Sequence, residues 1–337
     1  MATKKNQSTR RESKAQKKQM GRSKARRNIK QTPRLRVVAL YQKKRQMREQ
    51  VAKDRARRYK EFLAQIKNPT ELPAPGIALR AIAPSPGKQN LRILAEGDSW
   101  FEYPLPLTHG DGVIYQLQRL LGYGIANMAH HGLEVEQMMG LSIRQEIISR
   151  LTDPQVRFDA LLFSGGGNDI VGDQFCIWLR DAPPLVPPAE MLDLSAVNSV
   201  LAILEAEFRE LVDIRDQFSP QTVIFVHAYD FPPITGKGVC GEGPWLKPSL
   251  DYAYKHLGVA NPDPNDEFVI VKTLMQMFGA MLNRVATDPK VQRFVVVPTQ
   301  GTLTPSNSDW QNEIHPSAAG FAKIAQEFQA SLRSVFP

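Results

Sequence analysis

The sequence predicts an α/β protein with a doubly wound, flavodoxin-like, parallel five-stranded sheet, preceded by a basic extension. Three observations carry this expectation. Short apolar runs alternate with longer helical patterns along most of the chain, as parallel strands joined by helical crossovers require. The first run, Leu91 to Glu96, reads as a buried strand and stops abruptly at Gly97-Asp98-Ser99. Sharp loops follow the first three runs, where the carboxyl edge of such a sheet gathers its ligands.

The five runs place strands at 91–96, 124–129, 160–164, 222–227 and 294–298. Helical patterns between and after them cover 112–121, 135–150, 196–218, 267–287 and 317–335. At 337 residues the chain exceeds one average domain, but an α/β domain of about 250 residues plus an extension accommodates it. Hydrophobic content of 42% and aromatic content of 8% suffice for an ordinary core. Two stretches exceed simple connections: 173–193, Pro-rich and containing Trp178, and 229–266, containing Cys240 and Trp245. Long loops in a compact domain are usually functional or disordered, so both, on the active side, are assigned to a substrate rim, with a merely decorative role as the alternative.

Charge is unevenly spread. Residues 1–67 hold 24 Lys and Arg against 4 acidic residues, a net +20, whereas residues 68–337 hold 19 against 30, a net −11. The sequence pI of 9.5 therefore describes the extension. Residues 1–33 are too polar to offset the entropy of ordering and are expected to be disordered. Pro33 can start a helix; Met47, Val51, Tyr59, Phe62, Leu63 and Ile66 recur at helical spacing up to Lys67, before Asn68-Pro69 ends it. The expected organisation is thus an extension at 1–67, a Pro/Gly-rich linker at 68–88 and a body at 89–337. The extension's charge fits a polyanion, nucleic acid or anionic lipid, or else a solvated tail; it carries no base-reading motif.

Cys176 and Cys240 lack metal-ligand spacing and are expected to be reduced thiols, with a single bridge as the alternative for an exported protein. No apolar run reaches the 18 or so residues that span a bilayer, and no signal segment opens the chain, so the expectation is cytoplasmic.

Four blocks carry chemistry in chain order: Gly97-Asp98-Ser99, Asn127 to Gly132, Gly165 to Asp169, and Asn312-Glu313-Ile314-His315-Pro316. Each alone is weak, since Gly, Asp and Ser are common turn residues. Together, over roughly residues 89–335, they resemble the SGNH (GDSL-type) esterase and lipase hydrolase family. The resemblance implies Ser99 as nucleophile, His315 as general base and acid, and an oxyanion hole from the Ser99 and Gly132 N–H groups and the Asn168 amide. It also implies a small carboxylic ester as substrate, such as an acetylated sugar or lysophospholipid, with transfer to an alcohol open to the same residues.

One position departs from the family pattern: Asn312 stands where an Asp is usual. An Asn carbonyl can hold the useful tautomer of His315 but supplies no full charge. Asp309 and Glu313 are the alternative orienters. Asp98 and Asp169 read as loop braces. His130 and His131, next to Gly132, are candidates for the pocket, while His109, His227 and His256 read as structural or surface residues. Trp100, Phe101, Tyr103, Leu105 and Leu107 read mainly as packing beneath the first loop. No zinc, di-metal or P-loop spacing is present, so no cofactor is implied. A contrasting expectation is a polyanion-binding protein whose body is a degenerate hydrolase scaffold.

Overall fold

The computed structural model describes residues 33–67, 90–103, 112–239, 242–305 and 308–337. The chain divides into two units, Met1–Asp54 and Arg55–Pro337. In the first, the described residues belong to the opening part of helix α1 (Pro33–Lys67). Pro33 stands at its start, where its fixed φ suits a helix, and good helix formers follow with no glycine. Exposed Arg45 and Glu49 pair at 2.9 Å one turn apart on it.

The second unit contains a sheet of five parallel strands: β1 (Ile93–Gly97), β2 (Ala126–Asn127), β3 (Ala160–Ser164), β4 (Val223–His227) and β5 (Phe294–Val297). Their order is β2-β1-β3-β4-β5, all pairs parallel. All residues of β1, β3 and β4 are buried, which requires cover on both faces. Helix α2 (Val113–Leu121) packs on α9 (Ala318–Val335), and α6 (Leu194–Phe218) packs on α8 (Pro264–Thr287). Asp193 caps α6 through the N–H groups of Ser195 and Ala196, and Asp263 caps α8 through that of Asn265.

The observed elements differ from the expected ones where one residue overrides the local pattern. The segment at 135–150 is two helices, α3 (Val135–Met139) and α4 (Leu141–Leu151), because Gly140 leaves the helical region with ψ 152°. The second strand is only Ala126–Asn127, although single bonds from Met128 N–H to the Ala95 carbonyl and from His130 N–H to that of Gly97 carry its chain further along β1. A four-residue helix, α5 (Gly167–Ile170), follows β3. The stretch 173–193 holds short 3-10 turns at Asp173–Trp178 and Pro188–Glu190, closed by a bridge between Leu179 and Leu192. The stretch 229–266 contains helix α7 (Lys247–His256), whose Leu250, Ala253 and Tyr254 are buried; the surrounding Pro and Gly obscured that stripe.

The division between units falls within α1, between Asp54 and Arg55, and the linker expected at 68–88 lies outside the described residues. From Arg55 to Lys67 the helix belongs to the core. Tyr59 and Phe62 are buried, Phe62 stacks on Phe158 at 5.9 Å, and the Tyr59 hydroxyl donates to Asp153 at 2.8 Å. Arg55, 1% exposed, grips the fully buried Glu96 of β1 through both carboxylate oxygens and meets Glu146 at 2.9 Å. Burial disfavours the guanidinium, but these two carboxylates hold Arg55 above its ordinary range. Arg58 donates to the Ala129 carbonyl at 2.9 Å and approaches Glu102 at 3.3 Å. Among the described residues no helix is long and apolar enough to cross a membrane. Residues 1–32, which hold 12 of the 24 Lys and Arg of the expected polyanion arm, lie outside the description, as do Cys240, Leu105, Leu107 and His109.

A buried carboxylate stripped of its cation is strongly destabilising. Arg55→Met is therefore expected to lower the unfolding free energy by about 3–5 kcal/mol in chemical denaturation, and adding Glu96→Leu should recover most of that loss.

Candidate functional site

Four of the expected residues converge at the carboxyl edge of the sheet. The turn after β1 presents Ser99. A Cβ on Gly97 would meet Ser164 backbone and side chain at 2.8 Å, so only glycine lets β1 and β3 approach this closely before the turn. The Asp98 carboxylate then accepts the Trp100 N–H at 3.0 Å, the Ser164 hydroxyl at 2.8 Å and the Tyr229 hydroxyl at 2.6 Å.

The Ser99 Oγ lies 2.8 Å from His315 Nε2, and His315 Nδ1 lies 3.0 Å from Asn312 Oδ1. The Asn312 amide has only one consistent orientation. The backbone N–H groups of Ile314 and His315 both point at the same Asn312 atom, at 3.1 and 3.0 Å, so that atom must be the acceptor oxygen; Nδ2 turns instead to the Tyr103 hydroxyl at 3.0 Å. His315 Nδ1 must then carry the proton that it donates to Asn312, leaving Nε2 with a free lone pair aimed at the Ser99 hydroxyl.

Asp309 and Glu313 are engaged elsewhere. Asp309 accepts from Lys323 and from the Thr304 N–H and hydroxyl, and the bond from Lys323 holds its carboxyl below the usual range. Glu313 is fully buried and accepts four backbone N–H groups, those of Gly236, Trp245, Leu246 and Lys247, which ties the loop before α7 to the His315 turn. That loop brings the Trp245 ring edge-on to His315 at 5.4 Å, while Tyr103 covers it from another side at 4.7 Å. Burial in this aromatic setting, with His131 adding a smaller effect, pushes His315 down to about 3.

Asn168 lies just after β3 and shares a cleft with Ser99. Val171, Pro232, Met275, Trp310 and Ile314 supply its apolar lining, together with Tyr229 and Asp230. One Asn168 amide hydrogen goes to the Leu133 carbonyl at 2.9 Å; the other has no partner among the described residues. Gly132 is exposed, with φ 75°, and neither it nor His130 or His131 lines this cleft. His130 instead bonds the His131 carbonyl at 2.8 Å. Asp169 accepts the Val135 N–H with both oxygens at 3.1 Å, bracing the start of α3, and burial pushes it up to about 6.

Residues that the sequence did not assign to the relay complete the surroundings. Tyr103 was expected to be packing and instead holds Asn312, while Tyr229 and Trp245 sit in stretches that read as loop. Position two residues past the end of β4 was the available signal for Tyr229; Trp245 was marked only by its place in the long 229–266 stretch. His227 is fully buried, and burial pushes it down to about 3. Among the described residues no group of three or more His, Cys, Asp or Glu is placed to hold a metal ion.

No family model matches the sequence, and neither does any curated protein. Solved structures are similar in fold. A lipase from a goat rumen metagenome shares 15% identity over 72% of this chain and 97% of its own, with a TM-score of 0.44. A member of the lipolytic protein G-D-S-L family from Veillonella parvula shares 13% over 71% and 97%, at 0.41. A carbohydrate esterase family 3 protein from Talaromyces cellulolyticus shares 10% over 73% and 97%, also at 0.41.

The charge state of His315 is directly measurable. Its folded value lies below that of an unfolded histidine, so the unfolded chain binds the proton first, and the stability His315 contributes is present above pH 6.5 and lost as pH falls toward 3. In imidazole NMR titrations His315 and His227 are both expected to stay neutral at pH 5. Asn312→Asp, by placing a carboxylate against Nδ1–H, should raise the His315 value without moving that of His227.

Proposed function

We propose that this protein is a serine hydrolase that cleaves a small carboxylic ester through an acyl-enzyme. The observation that carries this reading is the relay itself: Ser99 Oγ to His315 Nε2 at 2.8 Å, and His315 Nδ1 to Asn312 Oδ1 at 3.0 Å. A hydroxyl facing a bare imidazole nitrogen whose tautomer is held from behind is what an activated nucleophile requires.

In this reading the Ser99 Oγ attacks the ester carbonyl as His315 takes its proton. The tetrahedral oxyanion accepts from the Ser99 N–H and the free Asn168 amide hydrogen. The Gly132 N–H, the third donor that the resemblance implied, stands outside the cleft on the loop whose His130 N–H donates to the Gly97 carbonyl, and this reading assigns it no role. Collapse breaks the bond to the leaving alkoxide, which receives the proton from His315, and a water then repeats the sequence on the acyl-enzyme. An alcohol in place of that water would give acyl transfer. The apolar lining of Val171, Met275 and Ile314 suits a short acyl group. Asn312 acts as a neutral orienter, so the imidazolium forms without a carboxylate beside it.

Labelling of the full chain with a fluorophosphonate should occur at Ser99 and vanish in Ser99→Ala; equal labelling of the two would remove the proposal. With p-nitrophenyl acetate, Asn168→Ala should lower kcat by about 100- to 1,000-fold. Asn312→Asp should move the acid limb of kcat/KM to higher pH, in step with the His315 titration.

A further inference from the structure

Beneath Ser99 the polar side chains close into a ring that the relay does not use. The Tyr229 hydroxyl donates to Asp98 Oδ2 at 2.6 Å, and the Ser164 hydroxyl donates to Asp98 Oδ1 at 2.8 Å. Because Ser164 spends its proton on Asp98, it must accept at 2.9 Å from His227 Nε2, which therefore carries the hydrogen. His227 Nδ1 is then the bare nitrogen, and it accepts the Tyr229 N–H at 3.2 Å, which returns the circuit to its start. All four residues are buried.

Tyr229 does more than complete this ring. Its hydroxyl also accepts the Gly167 N–H at 2.9 Å, so one phenolic oxygen is bonded to the residue before Ser99 and to the residue before Asn168. A Cβ on Gly167 would fall 2.9 Å from the Tyr229 ring, so the two are in direct contact. Tyr229 holds this place with φ 57°, a conformation rare for a bulky residue. The Thr299 hydroxyl, donating to the Tyr229 carbonyl at 2.6 Å, fastens that backbone. A strained backbone held by bonds from two neighbours points to a constraint beyond packing.

We infer that Tyr229 is a positioning residue that sets the distance between the Ser99 nucleophile and the Asn168 oxyanion donor by pinning the turns after β1 and β3 to a single oxygen. This rests on the reading of Ser99 and Asn168 given above. Nucleophile and donor must match a tetrahedral centre to within a fraction of an ångström, and an error of about 1 Å costs roughly 100-fold. Loss of the phenolic hydroxyl frees the Gly167 N–H and lets the Asn168 turn drift, while the cleft's shape and its ground-state contacts remain.

The test is steady-state hydrolysis of p-nitrophenyl acetate by the full chain as wild type, Ser99→Ala, Asn168→Ala, Tyr229→Phe and the Tyr229→Phe/Asn168→Ala double variant. Tyr229→Phe should lower kcat by about 10- to 100-fold with KM changed less than about twofold, and should add less than about threefold to the loss in Asn168→Ala. A wild-type kcat in Tyr229→Phe, a change confined to KM, or full multiplication of the two losses in the double variant overturns the positioning role while leaving the hydrolase reading intact. Absence of Ser99-dependent turnover in the wild type overturns both. Should Tyr229→Phe fail to fold, Thr299→Val keeps the phenol and loosens only its backbone. A smaller kcat loss that is again absorbed in the Asn168→Ala background is then expected, and wild-type kcat in Thr299→Val overturns the inference.

Discussion

Polar groups at the carboxyl ends of β1, β3 and β4 are withdrawn from water, and each must find its partner inside the protein or destabilise the fold. Asp98 is the centre of this constraint. Its carboxylate is buried with no cation beside it among the described residues, and burial pushes it up to about 6 even though three donors converge on it. Those donors come from its own turn, from the end of β3 and from just beyond β4. The placement of Ser99 is thus inherited from three strands, and no single loop could maintain it.

The same constraint explains how a neutral Asn holds His315. Asn312 Oδ1 receives two backbone N–H groups and the His315 ring N–H, a full set of donors for a buried amide oxygen. No charge has to be desolvated to orient His315, which stays neutral at rest. The cost appears only when His315 takes up a proton, since burial disfavours the imidazolium. Glu313, two residues away, carries the formal charge of this turn but directs it to four backbone N–H groups of the preceding loop. Charge at this corner builds structure, and hydrogen-bond direction sets the tautomer.

Much of the sheet was legible in the sequence because strands buried on both faces are apolar runs that stand out from their neighbours. The run at 160–164 coincides with β3, and the strands before and after it differ at their ends by a few residues. Helix α7 was hidden because Pro and Gly dominate its surroundings, and the break at Gly140 because one glycine does not disturb a periodic pattern. The segment at 55–67 read as the end of a basic helix, with polyanion contact and a solvated tail both open, because its partners lie elsewhere in the chain. Arg55 resembles every other arginine of the extension until Glu96, distant in sequence, is placed against it.

By itself the sequence determined the fold class and the identity of the four blocks, because the apolar runs and the residue types at their ends are local properties of the chain. It also determined that Asn312, Asp309 and Glu313 were the groups near His315 from which an orienter had to come. Only the tertiary structure decided among them, since hydrogen bonds depend on direction, and Lys323 with Thr304 draws Asp309 away while backbone N–H groups occupy Glu313. It alone brought Tyr229 to Asp98 and Gly167, because a bond spanning the ends of three strands has no trace in the order of residues along one of them.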